Sequence, residues 1–286
     1  MDKKVAKTEK KTAKKREKIE YKSYSFVDKA LAKLGMKNEK ERKRVGGIIS
    51  VSLFSILITA WVAAALYGSM FITGLVFGMT KDIFHYEAMN ETLLELILEA
   101  IIYALAVCVT IFLPWALLKK HGMKTTRNEM GLRGWPTWTD ILLSVGGYLV
   151  ATLIGGALLF LGQAVLPMID WEQAQEVGFQ NIYVAGDLIM AYIALAIVAP
   201  ICEELIFRGW LYGKLRAKIP AFPAIVLVSL LFALVHGQWN VGVIVFAMSV
   251  INCLIRELTG TVYGGILVHI IRNSIAFYGL FILHMV

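Results

Sequence analysis

Residues 219–255 read IPAFPAIVLVSLLFALVHGQWNVGVIVFAMSVINCLI and contain no Asp, Glu, Lys or Arg. A helix needs about 20 residues to cross a bilayer core of about 30 Å, so this run is long enough for two crossings joined by a turn at Gly237–Asn240. In lipid only helices and closed barrels satisfy their backbone groups, and an uninterrupted apolar run lacks the alternation of a barrel strand. The run therefore predicts a helical hairpin within a membrane.

Comparable charge-free runs fill most of the chain. Hydrophobic residues make up 58% of the sequence and charged residues 17%, with a mean hydropathy of +0.65, which is too apolar for an ordinary soluble domain. The further runs are Val45–Thr80, Ala100–Leu118, Ile141–Ile169, Leu188–Cys202, Leu258–Ile271 and Asn273–Val286. We predict an all-α fold, a polytopic helical membrane bundle of about seven transmembrane helices.

The first 45 residues are the basic part of the chain. They carry 17 Lys and Arg against 7 Asp and Glu, a net charge of +10, whereas the whole chain has +8. A basic tail directly before a first span is typical of a cytoplasmic N-terminus that contacts anionic lipid head groups. We therefore expect membrane lipids, and no nucleic acid, as its partner. The first apolar run is longer than a signal-peptide core, which predicts an uncleaved anchor.

The charges of the later loops predict the orientation. Basic side chains follow the second and fourth spans, at Lys119, Lys120, Lys124, Arg127, Arg133, Lys214, Arg216 and Lys218. Acidic side chains dominate the loops after the first and third spans. Because cytoplasmic loops are enriched in Lys and Arg, this pattern predicts a cell (plasma) membrane protein with a cytoplasmic N-terminus and an extracellular C-terminus.

Three parts of the chain follow from this organisation. Residues 1–45 form the basic cytoplasmic N-terminal tail, residues 46–186 hold three transmembrane helices with their loops, and residues 187–286 form a C-terminal core. The third span carries Gly147, Ala151 and Gly155 at four-residue spacing, a pattern that allows close helix packing in lipid.

The segment APICEELIFRGW, residues 199–210, places two acids inside an apolar run. Glu204 and Arg208 are four residues apart with the acid first, which favours an ion pair on one helix face. Glu203 points about 100° away from Glu204 around the helix axis, which leaves it free to act as a general base. Pro200 lacks an N–H and so frees one backbone carbonyl a turn earlier.

Two histidine clusters follow. His236 ends the segment FALVH that begins at Phe232, and taken alone it is more typical of a membrane-interface residue than of a catalytic one. His269 and Asn273 share one helix face, their Cβ atoms about 6 Å apart, and taken alone they are as compatible with interhelical hydrogen bonding. At 1.5 Å per residue, His269, Glu203 and His236 lie about 12, 15 and 22 Å from the cytoplasmic ends of their helices.

Taken together, EExxxR, FxxxH and HxxxN in this order resemble the CAAX-protease and bacteriocin-processing family, the type II CAAX prenyl endopeptidase-like intramembrane peptidases. The resemblance covers about residues 187–284, and it includes Glu203, Glu204, Arg208, Phe232, His236, His269 and Asn273. The first three spans match nothing more specific than membrane helices. The resemblance implies an intramembrane peptidase that cleaves a peptide or membrane-protein substrate.

The resemblance also implies roles for the motif residues. Glu203 and His236 would activate the attacking water, and His269 and Asn273 would donate hydrogen bonds to the oxyanion. Glu204 belongs to the same catalytic set and, paired with its arginine, would orient the site or bind substrate.

A metal-dependent mechanism is the alternative to a glutamate base. Glu203, His236 and His269 correspond to the two-histidine, one-glutamate ligand set of catalytic zinc sites. The HExxH spacing of many zinc peptidases is absent. The sequence thus predicts no certain cofactor, with a divalent metal such as zinc as the alternative.

Two further classes of function compete with the peptidase. One is a non-catalytic membrane protein that gives self-immunity to a bacteriocin or regulates a partner. The other is a proton-coupled transporter, which would also bury acids and histidines in spans. The transporter hypothesis leaves the order of the three motifs unexplained.

Overall fold

A computed structural model describes residues 27–84, 91–118, 125–173 and 184–283. Most of the predicted tail, the last three residues and parts of three loops lie outside these ranges, so the predictions made for them are not addressed. The described residues are overwhelmingly helical and contain no strand. The all-α prediction is confirmed.

Six helices in the described ranges are long and apolar enough to cross a membrane, and a further apolar helix is shorter. Numbered in chain order, they are α1 (Glu39–Phe84), α2 (Leu94–Leu118, within a helix that begins at Glu91), α3 (Trp138–Val165), α4 (Ala185–Arg216), α5 (Ala221–Leu234), α6 (Trp239–Thr259) and α7 (Tyr263–Ile282). The structure therefore agrees with a bundle of about seven apolar helices and with a membrane protein.

Helix α5 is the short member of the bundle. Its 14 residues rise about 21 Å, less than the apolar core of about 30 Å. Pro220 precedes its first turn, and Gly237 adopts φ +71 just beyond its end, a left-handed conformation that glycine tolerates best. A helix of this length is about 9 Å too short to cross that core.

Helix α6 packs against α3, α5 and α7 and so occupies the centre of the C-terminal half. The small residues of α3 face it. A Cβ on Gly155 would lie 3.3 Å from the Ile244 Cα, and one on Gly147 would lie 2.8 Å from the Ile255 Cδ1. The four-residue spacing of small residues therefore brings α3 against α6, as the sequence indicates.

The largest fully buried side chains lie in the second half of α4 and in α5. They include Phe207, Arg208, Trp210, Tyr212 and Phe232. By contrast, α1 and α3 expose many large apolar side chains, which is the pattern expected of helices that face lipid. The structural core thus coincides with the region that carries the sequence motifs.

The segment before α3 is tied to the ends of α6 and α7. The Arg256 guanidinium donates a 2.8 Å hydrogen bond to the Met130 carbonyl, and the Val262 N–H donates one of 3.1 Å to the Gly131 carbonyl. The Thr261 hydroxyl donates to an Asp140 carboxylate oxygen at 2.9 Å. These contacts fix α3 relative to the α6–α7 pair at the end opposite the turn after α5.

We expect Gly155→Leu to destabilise the protein by about 1–3 kcal/mol, because the new side chain must enter space held by the α6 backbone. Gly156→Leu is the matched control, since a Cβ on Gly156 meets nothing within 4 Å. Thermal unfolding in detergent micelles measures both variants. Equal melting temperatures for the two would contradict the close α3–α6 approach.

Candidate active site

A cavity of about 210 Å³ lies between α2, α4, α7 and the turn after α5. Its polar lining consists of Glu99, Tyr103, Glu203, His236, His269, Arg272 and Asn273. Residues from all three sequence motifs therefore face one small space inside the helix bundle.

Glu203 reaches this cavity with its two oxygens in different surroundings. The Tyr103 hydroxyl donates a 2.6 Å hydrogen bond to Oε1, and the His269 Nε2 lies 3.8 Å from Oε2. Among the described residues Oε2 has no hydrogen-bond partner, although it is buried. One carboxylate oxygen is thus oriented by a phenol, while the other remains available in the cavity.

Glu204 lies on the other side of α4 and is fully buried. Its Oε1 accepts a 2.9 Å hydrogen bond from the Asn252 amide and lies 2.8 Å from the Arg208 Nη1. Gly265 makes room for it, since a Cβ there would lie 3.0 Å from Oε2. Glu204 does not line the cavity; it is an ionic anchor between α4, α6 and α7.

Two wide, π-helical turns in α4 determine which way its acids point. They span Ile193–Val198 and Leu205–Leu211 and flank the α-helical turn Ala199–Glu204. Such turns are rare and occur frequently at functional sites. The identity of their residues does not reveal them, and Pro200, just beyond the first turn, is the one local sign of it.

His236 is held in one tautomer by the backbone. Its Nδ1 lies 2.7 Å from the Phe232 carbonyl oxygen. A carbonyl only accepts, so Nδ1 carries the hydrogen, and in the neutral ring Nε2 keeps a free lone pair. The Phe232 ring packs edge-on against both histidine rings, at 4.8 Å from His236 and 5.8 Å from His269.

His269 lies between the two acids and is almost completely buried. Its Nδ1 is 3.4 Å from a Glu204 oxygen, while its Nε2 faces Glu203 at the longer distance given above. Both distances exceed those of well-formed hydrogen bonds, so the ring has room to adjust to a bound group. Its position allows it to donate into the cavity.

Asn273 lines the cavity but is already engaged. Its amide nitrogen donates a 2.9 Å hydrogen bond to the Leu195 carbonyl in the first wide turn of α4. Its amide oxygen accepts one of 3.0 Å from the Arg272 guanidinium. One of its two amide hydrogens is therefore used within the protein.

No sequence motif marks Glu99, Tyr103, Asn252 or Arg272, although all four lie in or beside the site. Glu99 and Tyr103 are four residues apart and face the cavity from α2. Glu99 directly precedes the apolar run that begins at Ala100, and Tyr103 lies inside that run with no motif around it. Asn252 is marked in the sequence only as a single amide side chain within an apolar run.

The zinc alternative requires side chains that could hold a metal ion together. No group of three His, Cys, Asp or Glu side chains among them is arranged to hold a metal ion. The Nδ1 of His236 faces a carbonyl, and His269 is flanked by two carboxylates. Both contacts also occur in histidines that ligate a metal, whose second nitrogen commonly bonds a carbonyl or a carboxylate, so zinc stays the alternative to the glutamate base.

One comparison with known proteins gives a match. Residues 185–275, about a third of the chain, match the model of a family described as type II CAAX prenyl endopeptidase Rce1-like, which is a family of proteases. This segment contains all three motifs. No curated protein and no solved structure matches the chain significantly. Helices α1, α2 and α3 lie outside the matched segment.

We expect Glu204→Gln to lower the free energy of unfolding by about 3–5 kcal/mol, because it leaves the buried Arg208 charge without its carboxylate. Glu203→Gln is the matched comparison one residue earlier. It keeps an acceptor for the Tyr103 hydroxyl, so its cost should stay below about 1 kcal/mol. Unfolding in detergent measures both, and equal losses would contradict the division of roles between the two acids.

Proposed function

We propose that the protein is an intramembrane endopeptidase that hydrolyses peptide bonds of peptide or membrane-protein substrates with a water activated by Glu203 and His236. One observation carries the proposal. Glu203 presents a carboxylate oxygen without a partner to the same cavity as His236, in a segment that matches a protease family. The substrate is thus expected to enter a site within the membrane.

The reaction follows from the chemistry of these groups. A water molecule bound between Glu203 Oε2 and His236 Nε2 gives a proton to the Glu203 carboxylate. At the same time the oxygen of this water forms a bond to the scissile carbonyl carbon. The carbonyl becomes an oxyanion. Collapse of this intermediate breaks the C–N bond, and the proton held by Glu203 passes to the leaving amine. The carboxylate is then regenerated.

The cavity also contains groups that stabilise the oxyanion. His269 and the second amide hydrogen of Asn273 are the proposed donors, and the Arg272 guanidinium places a positive charge in the same space. Donors aimed at a developing charge in a site that excludes water are among the largest contributions to catalysis. Glu204 and Arg208 are proposed to orient the site by holding α4 in place.

We propose that this reaction needs no metal, because the Glu203 carboxylate can itself take the proton from the water, and no group of three His, Cys, Asp or Glu side chains among the described residues is arranged to hold a metal ion. The supporting measurement is elemental analysis of a purified and active preparation. Full activity with much less than one zinc per chain is the expected result. Activity that rises in proportion to bound zinc would contradict it.

We further propose a plasma-membrane location with a cytoplasmic N-terminus and an extracellular C-terminus. The supporting observation is the alternation of basic and acidic loops along the sequence. The basic tail is proposed to contact anionic lipids, which strengthens its attachment to the inner surface.

Tyr103→Phe tests how far Glu203 depends on α2. Loss of a hydrogen bond to a carboxylate costs about 1.5–3 kcal/mol, so we expect kcat to fall about tenfold or more while KM changes little. Tyr263→Phe is the matched control, because its hydroxyl bonds the Gly134 carbonyl at an exposed position. Unchanged kcat in Tyr103→Phe would contradict the orienting role.

Glu203→Gln tests the proposed function directly. Terminal-peptide proteomics on membrane and secreted fractions compares cells that carry wild-type protein with cells that carry this variant at matched abundance. We expect new peptide termini with wild type and none with the variant, because an amide accepts no proton from water. Candidate substrates are then confirmed with purified protein.

Glu257→Gln is the control for that comparison, since Glu257 pairs with Arg216 away from the cavity. It should give the wild-type set of termini. If Glu203→Gln instead preserves both the termini and the biological phenotype, catalysis is contradicted. The non-catalytic immunity or regulatory role would then be favoured.

A further inference from the structure

The first wide turn of α4 leaves one backbone carbonyl without a helical partner. The Ala199 N–H donates to the Ala194 carbonyl, five residues back instead of four. In that register the next carbonyl, that of Leu195, would meet the N–H of residue 200. That residue is proline, which has none. A carbonyl that is left unpaired in lipid is costly.

Another helix supplies the missing donor. The Asn273 amide of α7 donates to the Leu195 oxygen at 2.9 Å. Because Asn273 also faces the cavity, this bond joins the wide turn of α4 to the wall of the site. The side-chain amide of Asn273 thus donates to the Leu195 carbonyl, which a backbone N–H of residue 200 would otherwise reach.

We infer that Asn273 replaces the backbone donor removed by Pro200 and is thereby a positioning residue for Glu203. The inference rests on the proposed function, because it concerns the same site. It assigns Asn273 a task that is separate from donating to an oxyanion. The two tasks make different predictions when Pro200 is changed.

The direction of Glu203 depends on this turn. A wide turn contains one extra residue, and one residue corresponds to about 100° of rotation around a helix. If the turn tightens to an ordinary α-helical turn, the following residues rotate relative to the preceding ones. Glu203 would then leave the reach of the Tyr103 hydroxyl. The Asn273–Leu195 bond opposes that change.

Pro200→Ala provides the test, because alanine restores an N–H at the position that Leu195 needs. We expect Asn273→Ala alone to lower kcat about tenfold or more. In the Pro200→Ala background the same change should cause a loss of kcat at least about threefold smaller, and the loss that remains comes from the oxyanion contact. If Asn273→Ala instead causes the same loss in both backgrounds, Asn273 acts on the substrate directly and the inference is overturned.

Ser274→Ala is the matched control. Ser274 is the next residue of α7 and also contacts α4, through the Tyr192 hydroxyl at 3.0 Å, but it does not reach Leu195. Its effect should be the same with and without Pro200→Ala. Should Asn273→Ala fail to fold, Asn273→Leu keeps the side-chain volume while removing the donor and serves in its place.

Hydrogen–deuterium exchange separates this inference from the proposed function, since it needs no enzymatic activity. Asn273→Ala should speed exchange in peptides that cover residues 193–204 when Pro200 is present, and much less when Pro200→Ala is added. This result supports the inference even if no peptidase activity is found. Equal acceleration in both backgrounds overturns it even if the peptidase is confirmed.

Discussion

The buried ion pair between Glu204 and Arg208 is the interaction on which the rest of the site depends. A charge inside a membrane bundle is tolerated only when it is paired and hydrogen-bonded. Here the pair lies on one helix, the Asn252 amide of α6 donates to Glu204, and Gly265 of α7 leaves space for the carboxylate. Three helices are thereby fixed in register. Glu203, one residue earlier on α4, consequently faces the opposite side, where its charge meets a phenol and the cavity.

The helices themselves could be predicted because a span requires a long apolar run, and no other local signal is needed. The ion pair could be predicted for a similar reason, since four-residue spacing is a local property of a helix. Helix α5 ends at Leu234, two residues before His236, as the turn that the sequence predicts at Gly237 requires. The three clusters reach one cavity because α5 ends beside it.

What the sequence could not reveal is set by contacts between helices. The wide turns of α4 consist of residues that also suit an ordinary α-helix, so only their neighbours on α7 and α6 distinguish the two forms. Tyr103 could not be assigned because its hydrogen-bond partner lies 100 residues away along the chain. It also lies outside the segment that matches the protease family. The orientation of the proposed base therefore depends on a helix that no motif marks.

The bond between Asn273 and Leu195 also has a consequence for biogenesis. α7 follows α4 in the chain, so α4 is synthesised before it. Until α7 packs against α4, the Leu195 carbonyl lacks the Asn273 donor, and this hydrogen bond does not stabilise the wide turn of α4. The proposed base then lacks its final direction as well. The proposed hydrolysis therefore requires that α7 has already packed against α4.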